Sequence, residues 1–280
     1  MTKSLALLFV VSACLFAQTF ATADDNQPGI KYYIFREDCY NRFLAFDISD
    51  VECIKFSASK GIGYAIILGS VILKVPQIQK IVASGSADGI NVFSVYVEFF
   101  NFLGLIGNSV RMNLAFSVYG EAVFINVQNL IIMMLCWNYS KTISTVEILA
   151  VSAVMSAYYW LLFKSELMDD QLWQLVASSQ TAMVLLSRVP QIFQNWHAKS
   201  TGQLAFITFF LSWAGTIARA GTVFFESDDF LYRLQFVVSL VMNSVIMVQF
   251  ALYWSNVPKP KKRARVVGPG AKSPEPKKDK

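Results

Sequence analysis

Two long apolar runs end in the same pattern, a basic residue followed by Val-Pro-Gln-Ile. The copies are Lys74-Val75-Pro76-Gln77-Ile78 and Arg188-Val189-Pro190-Gln191-Ile192, 114 residues apart. Proline removes a backbone donor and crowds the preceding turn. Inside an apolar helix it therefore needs neighbouring groups or a water-lined cavity to satisfy the freed carbonyl. Matched prolines at the ends of matched runs predict two copies of one helical unit. The correspondence continues to Ser86 over Ser200. A one-residue deletion then sets Gly89 over Gly202 and Phe93 over Phe206, and Asn126 and Trp137 fall over Asn243 and Trp254 at an offset of 117.

The runs have membrane-spanning length. Of the 280 residues 55% are hydrophobic and only 15% charged, against about 25% charged in a typical soluble domain, and a spanning helix needs roughly 20 residues. The sequence predicts spans at 60–73, 90–110, 121–137, 142–163, 172–187, 203–225 and 231–254, the first and fifth short and running on into their Pro-Gln segments. An odd number of helices inverts successive units, and the intervening helix restores their direction. The expected fold is an all-α membrane protein of seven transmembrane helices, two parallel three-helix repeats at 59–138 and 171–255 joined by a linker helix in 139–170.

Residues 1–23 carry Lys3, a short apolar centre and Ala21-Thr22-Ala23 before Asp24, the pattern of a cleavable signal peptide, with an uncleaved helix as the alternative. Residues 24–58 are then luminal, and their seven acids outweigh four bases. The alternate loops carry Lys74 and Lys80, Lys141, Arg188 and Lys199, and the tail 256–280 is strongly basic. The positive-inside rule places these on the cytosolic side, both Pro-Gln segments with them. The tail reads as a juxtamembrane basic segment rather than a nuclear signal. Its last residues, Lys277-Lys278-Asp279-Lys280, resemble a dilysine retrieval signal, which implies residence in the endoplasmic reticulum membrane and the COPI coat as a partner.

Cys39 and Cys53 form a candidate luminal pair, and an oxidising lumen permits a disulfide. Sequence leaves bonded and free forms open, because bonding geometry is not written in it. Between them Tyr40, Phe43, Leu44, Ile48, Val51 and Ile54 recur at helical spacing, predicting one amphipathic helix on the luminal face. The sequon Asn138-Tyr139-Ser140 falls in a predicted cytosolic loop and is expected to stay unmodified.

Several polar residues stand out inside the spans. Pro76 and Pro190 read as hinges, with Gln77 and Gln191 bonding the freed backbone or a substrate hydroxyl, or else as static kinks. Asn126 and Asn243 occupy matched places in the third helix of each unit, and such an amide either joins helices or lines a substrate path. Glu98 and Arg219 are the deepest charges. Arg219 is expected to snorkel or meet a lipid phosphate, and Glu98 to serve as a proton or hydroxyl partner; direct contact between them is not expected. No catalytic residue, metal site or cofactor site emerges. His197 is the only histidine, and there is no Cys/His cluster, nucleophile motif or phosphate loop. The chain is therefore not expected to be an enzyme, nor to bind nucleic acid.

Two Pro-Gln motifs in a seven-helix parallel repeat resemble the PQ-loop family. That family includes the SWEET sugar carriers and the lysosomal cystine carrier, and the KDEL receptor shares its fold. Within the family, Cys39-Tyr40 with Cys53, Ser59-Lys60-Gly61, Gly120-Glu121-Ala122, Ser200-Thr201-Gly202-Gln203-Leu204 and Ala218-Arg219 are similar to a branch needed for the use of dolichol-phosphate-mannose. The resemblance runs from about Cys39 to Trp254. It implies an endoplasmic-reticulum protein through which dolichol-phosphate-mannose and dolichol-phosphate-glucose become luminal donors for N-glycan, GPI-anchor and protein mannosylation pathways. Membrane lipids, dolichol-linked sugars and luminal-facing glycosyltransferases are its implied partners. The alternative is a small-solute carrier for sugars or amino acids, proton-coupled through Glu98.

Overall fold

A computed structural model describes residues 30–31, 35–47, 49–87, 90–140, 142–164, 166–201 and 206–254. The predicted signal segment, the basic tail with Lys277 and Lys278, and the Gly202-Gln203-Leu204 stretch lie outside these. The chain opens with a small antiparallel pair, β1 (Ile30–Lys31) and β2 (Phe35–Arg36), and the short helix α1 (Glu37–Leu44). Eight helices follow: α2 (Val51–Val71), α3 (Val75–Ser84), α4 (Val92–Arg111), α5 (Phe116–Tyr139), α6 (Thr145–Lys164), α7 (Asp170–Ala198), α8 (Phe206–Glu226) and α9 (Phe230–Leu252).

Each predicted span falls on one of these helices. Five stretches of the described residues are long and apolar enough to cross a membrane: Val51–Ser84, Val92–Arg111, Phe116–Tyr139, Thr145–Lys164 and Phe230–Leu252. The chain is a multi-pass membrane protein. The sequence predicts seven spans; α7 and α8 are the two long helices outside that set, and both pack into the same bundle.

Side-chain caps set several helix starts. Asp50 accepts from the Glu52 and Cys53 amides, Asn91 from Ser94, Asp169 from Leu172 and Asp229 from Tyr232. Such a cap satisfies amides that have no partner inside the helix. The cap at Asp50 also corrects one expectation. The amphipathic stretch between the cysteines is not one helix: α1 stops at Leu44, Phe46 takes a left-handed turn at φ 57°, and α2 restarts at Val51. Residues 51–58 thus belong to the first long helix. Competing Asp and Ser side chains explain the break, since Asp47 binds both the Ser49 amide and its hydroxyl.

Packing follows the repeat. In the first unit α5 packs on both α2 and α4, and in the second α9 packs on both α7 and α8. The units meet through α2 against α8 and, reciprocally, α4 against α7. First helix of one against second helix of the other, twice over, is the reciprocal contact pattern of two copies related by a two-fold axis. The linker helix α6 packs mainly on α4 and leaves Val146, Leu149, Val154 and Trp160 exposed, as a surface facing lipid requires. Ion pairing of Arg111 with Asp170 sets the end of α4 beside the start of α7, so both Pro-Gln segments lie at the opposite end of the bundle.

Candidate functional site

At the Pro-Gln end the two repeats differ. Helix α2 stops at Val71 and α3 begins at Val75, so Pro76 stands in the first turn of a new helix. There its missing donor costs nothing. The break leaves backbone groups that Gln128 of α5 takes up. Its Oε1 accepts from the Lys74 amide at 2.7 Å, and its Nε2 donates to the Ser70 carbonyl at 2.8 Å. The Lys74 ammonium donates to Glu98 of α4 and to Asn129 Oδ1 of α5, each at 2.6 Å. One lysine at the break therefore ties three helices together.

The second copy has no break. Helix α7 runs from Asp170 to Ala198 straight through Pro190. Gln249 of α9 donates to the Ile192 carbonyl at 2.9 Å and accepts from Asn195 at 3.0 Å. Arg188, the counterpart of Lys74, lies over the Phe209 ring, and the counterpart of Glu98 is Leu211. The expectation of two matched kinks is corrected: one proline starts a helix, the other sits inside one. The amides that bond the backbone are also not those of the motif. Gln77 is exposed, and the third helix of each unit supplies the glutamine instead.

At the opposite end a buried ionic network joins the repeats. Lys60 of α2, 2% exposed, donates to Glu226 Oε2 of α8 at 2.7 Å and to the Ser117 hydroxyl of α5 at 3.2 Å. Ser59 donates to Glu226 Oε1 at 2.9 Å. One α-turn pair below, Arg219 of α8 donates to the Ser117 carbonyl at 2.9 Å and forms an ion pair with Glu121 of α5. Arg219 is 3% exposed, so it does not reach for headgroups as expected; a neighbouring carboxylate holds it inside. Glu98 and Arg219 lie in separate networks at opposite ends, and each has its own partner.

Between the ends, Asn126 and Asn243 are both buried. Asn243 donates to the Thr216 hydroxyl at 3.0 Å, which is the helix-joining role. Asn126 differs, because neither its oxygen nor its nitrogen has a hydrogen-bond partner among the described residues. An unbonded buried amide costs about 1–3 kcal/mol, so Asn126 is an interior position whose polarity the fold itself does not use.

The N-terminal segment is fastened over the network end. Cys39 and Cys53 form a disulfide with Cα atoms 5.3 Å apart, tying α1 to the first turn of α2. Arg36 grips Asp38 through Nε and a terminal nitrogen at 2.7 Å each, and these hydrogen bonds hold the Asp38 carboxyl down to about 2. Asp38 and the two cysteine sulfurs are near neighbours, but the sulfurs are bonded to each other and offer no thiolate for a metal. Sequence reasoning reached Lys60 and Glu121 only through the family resemblance, without a role, and missed Glu226, Gln128 and the Lys74 ion pair. Four of these, Lys60, Lys74, Glu121 and Glu226, are charges inside or at the edge of predicted spans, a signal that would have marked them for partners.

The PQ loop repeat family pattern matches residues 58–118 and 172–232, once in each unit. The chain is a PQ-loop repeat protein. Both matches begin within the first helix of a unit, run through its Pro-Gln segment and end at the start of the third helix or shortly after the second. This PQ-loop chain is 22% identical to human "Solute carrier family 66 member 3" over 181 residues, 65% of the chain and 87% of that protein, as a distant homologue. No solved structure matches it.

Proposed function

We propose that this PQ-loop protein makes a lipid-linked sugar usable: it moves, presents or organises dolichol-phosphate-mannose, and dolichol-phosphate-glucose, as donors for luminal glycosyltransferases. The carrying observation is a convergence. Ser59-Lys60-Gly61, Gly120-Glu121-Ala122 and Ala218-Arg219 resemble the mannose-P-dolichol utilization defect 1 proteins, and their charged members form a buried network that joins the two repeats. Residues that set this branch apart are thus those that fix one repeat against the other. The protein acts without chemistry of its own, in the endoplasmic reticulum membrane, with its N-terminus luminal and its C-terminus cytosolic. Lys277 and Lys278 return it there through the COPI coat.

The test is deletion of the gene in cells whose dolichol-phosphate-mannose synthesis is shown to be intact. Truncated lipid-linked oligosaccharides at normal donor levels are expected; a complete oligosaccharide profile would sink the proposal. A second reading is a solute carrier with Asn126 on its path and Glu98 as proton partner, favoured by the unbonded Asn126 amide and by the solute-carrier name of the distant homologue. Saturable flux of a sugar or amino acid into liposomes holding the purified chain would promote it.

A further inference from the structure

Beside the buried network lies a cleft of about 260 Å³ between the N-terminal segment, α2 and α8. Its walls carry both charges. Arg36, Lys55 and Lys60 stand against Glu52 and Glu226, with the rings of Phe56 and Phe225 between them. The charges are already paired within the chain: Lys55 with Glu52 at 3.1 Å and Lys60 with Glu226 at 2.7 Å. Phe56 lies 5.4 Å from the Lys60 ammonium and 6.0 Å from the Arg36 guanidinium.

We propose that this cleft binds a single pyranose ring. An anionic ligand would face Glu52 and Glu226, and a cationic one would face three bases. A neutral ligand with many hydroxyls meets neither repulsion, since each hydroxyl both donates and accepts. Glu226 keeps acceptor capacity for it. Its two oxygens offer about four lone-pair sites, and the contacts from Ser59 and Lys60 occupy two of them. Glu52 and Lys55 are exposed at the rim and supply a further acceptor and donor. The volume lies below the roughly 300 Å³ at which pockets for drug-sized ligands begin, which suits one ring and not an oligosaccharide. Phe225 is 63% exposed at the same wall, so the mouth opens beside an apolar surface. A sugar carried on a lipid can enter with its chain outside; a free sugar shares the same ring chemistry.

This site deepens the lipid-linked-sugar reading and rests on it for the source of the sugar, not for the ring. The experiment uses the full chain in nanodiscs and four probes: labelled dodecyl mannoside, methyl mannoside, dodecanol and dodecyl phosphate. Saturable binding of dodecyl mannoside but not methyl mannoside assigns a lipid-linked sugar, and binding of both assigns the free ring; either supports the site. Glu52→Gln and Phe225→Ala alter exposed side chains, so folding is preserved. Glu52→Gln is expected to weaken mannoside binding about tenfold, the scale of one hydrogen bond to a charged group, and Phe225→Ala to weaken it by removing the apolar contact at the wall. Absence of mannoside binding, binding matched by dodecanol or dodecyl phosphate, or equal binding by both variants overturns the proposal. The oligosaccharide profile of deleted cells is read separately, so failure of the cleft and failure of the donor role remain distinct.

Discussion

Asn126 and Asn243 are the same residue at the same place in two copies, yet only Asn243 has a partner. Replacing an unbonded buried amide by an apolar group of similar shape is close to neutral or stabilising. Asn126→Leu is therefore expected to leave the thermal midpoint of the purified protein unchanged or higher, while Asn243→Leu lowers it; a melting series followed by size-exclusion chromatography decides. If Asn126→Leu also removes function in cells, the amide serves a ligand. Asp38 gives a second test. Its carboxyl is held down to about 2 by Arg36, below the ordinary value of about 3.9. A depressed carboxylate adds stability above its unfolded value, and that contribution is lost as the pH falls from about 4 through about 2. Carboxyl NMR of the labelled protein should find Asp38 still ionised at about pH 3, where exposed aspartates are mostly protonated.

At the scale of elements, the difference between the Pro-Gln segments matters most. In the first repeat the helix is interrupted and Gln128 closes the gap; in the second it is continuous. Gln128→Leu leaves the part-buried Lys74 amide without this partner, at a cost of roughly 1–3 kcal/mol, and takes from the Ser70 carbonyl one of its bonds, the Leu73 amide remaining at 3.2 Å. Faster amide exchange confined to residues 70–75 is the expected result, with 186–192 unaffected; uniform loosening of both segments would contradict the asymmetry. The helices themselves were legible, because the length of an apolar run fixes its helix when backbone groups cannot be left unbonded in lipid. The interruption at 72–74 was not. Proline marks a discontinuity but does not say whether the helix ends or continues, and a glutamine 54 residues away decided it.

For the whole molecule, the joint between the repeats is ionic at one end. Arg219→Ala leaves Glu121 buried without its cation, and removal of one partner of a buried pair costs about 3–5 kcal/mol. The variant should accumulate poorly and melt earlier, and Arg219→Ala with Glu121→Ala should recover part of the loss, because the stranded charge is gone. A double-mutant cycle on thermal midpoints measures this coupling; strictly additive effects would refute it. Lys60, Ser117 and Glu226 come from three helices and both repeats, so no spacing within one helix announces them. Their types were visible in the sequence as polar residues at helix ends, but their partners lie 57 and 166 residues away.

By itself the sequence determined the membrane setting, the places of the long helices and the duplication. These follow from local quantities: run length, charge between runs, and register between repeats. Only the tertiary structure decided that one Val-Pro-Gln-Ile begins a helix while the other lies within one, and that Lys74 holds Glu98 while Arg219 holds Glu121. The physical reason is burial. A charge or a freed amide in an apolar bundle must find its counterpart across a helix interface, and packing alone determines which side chain stands there.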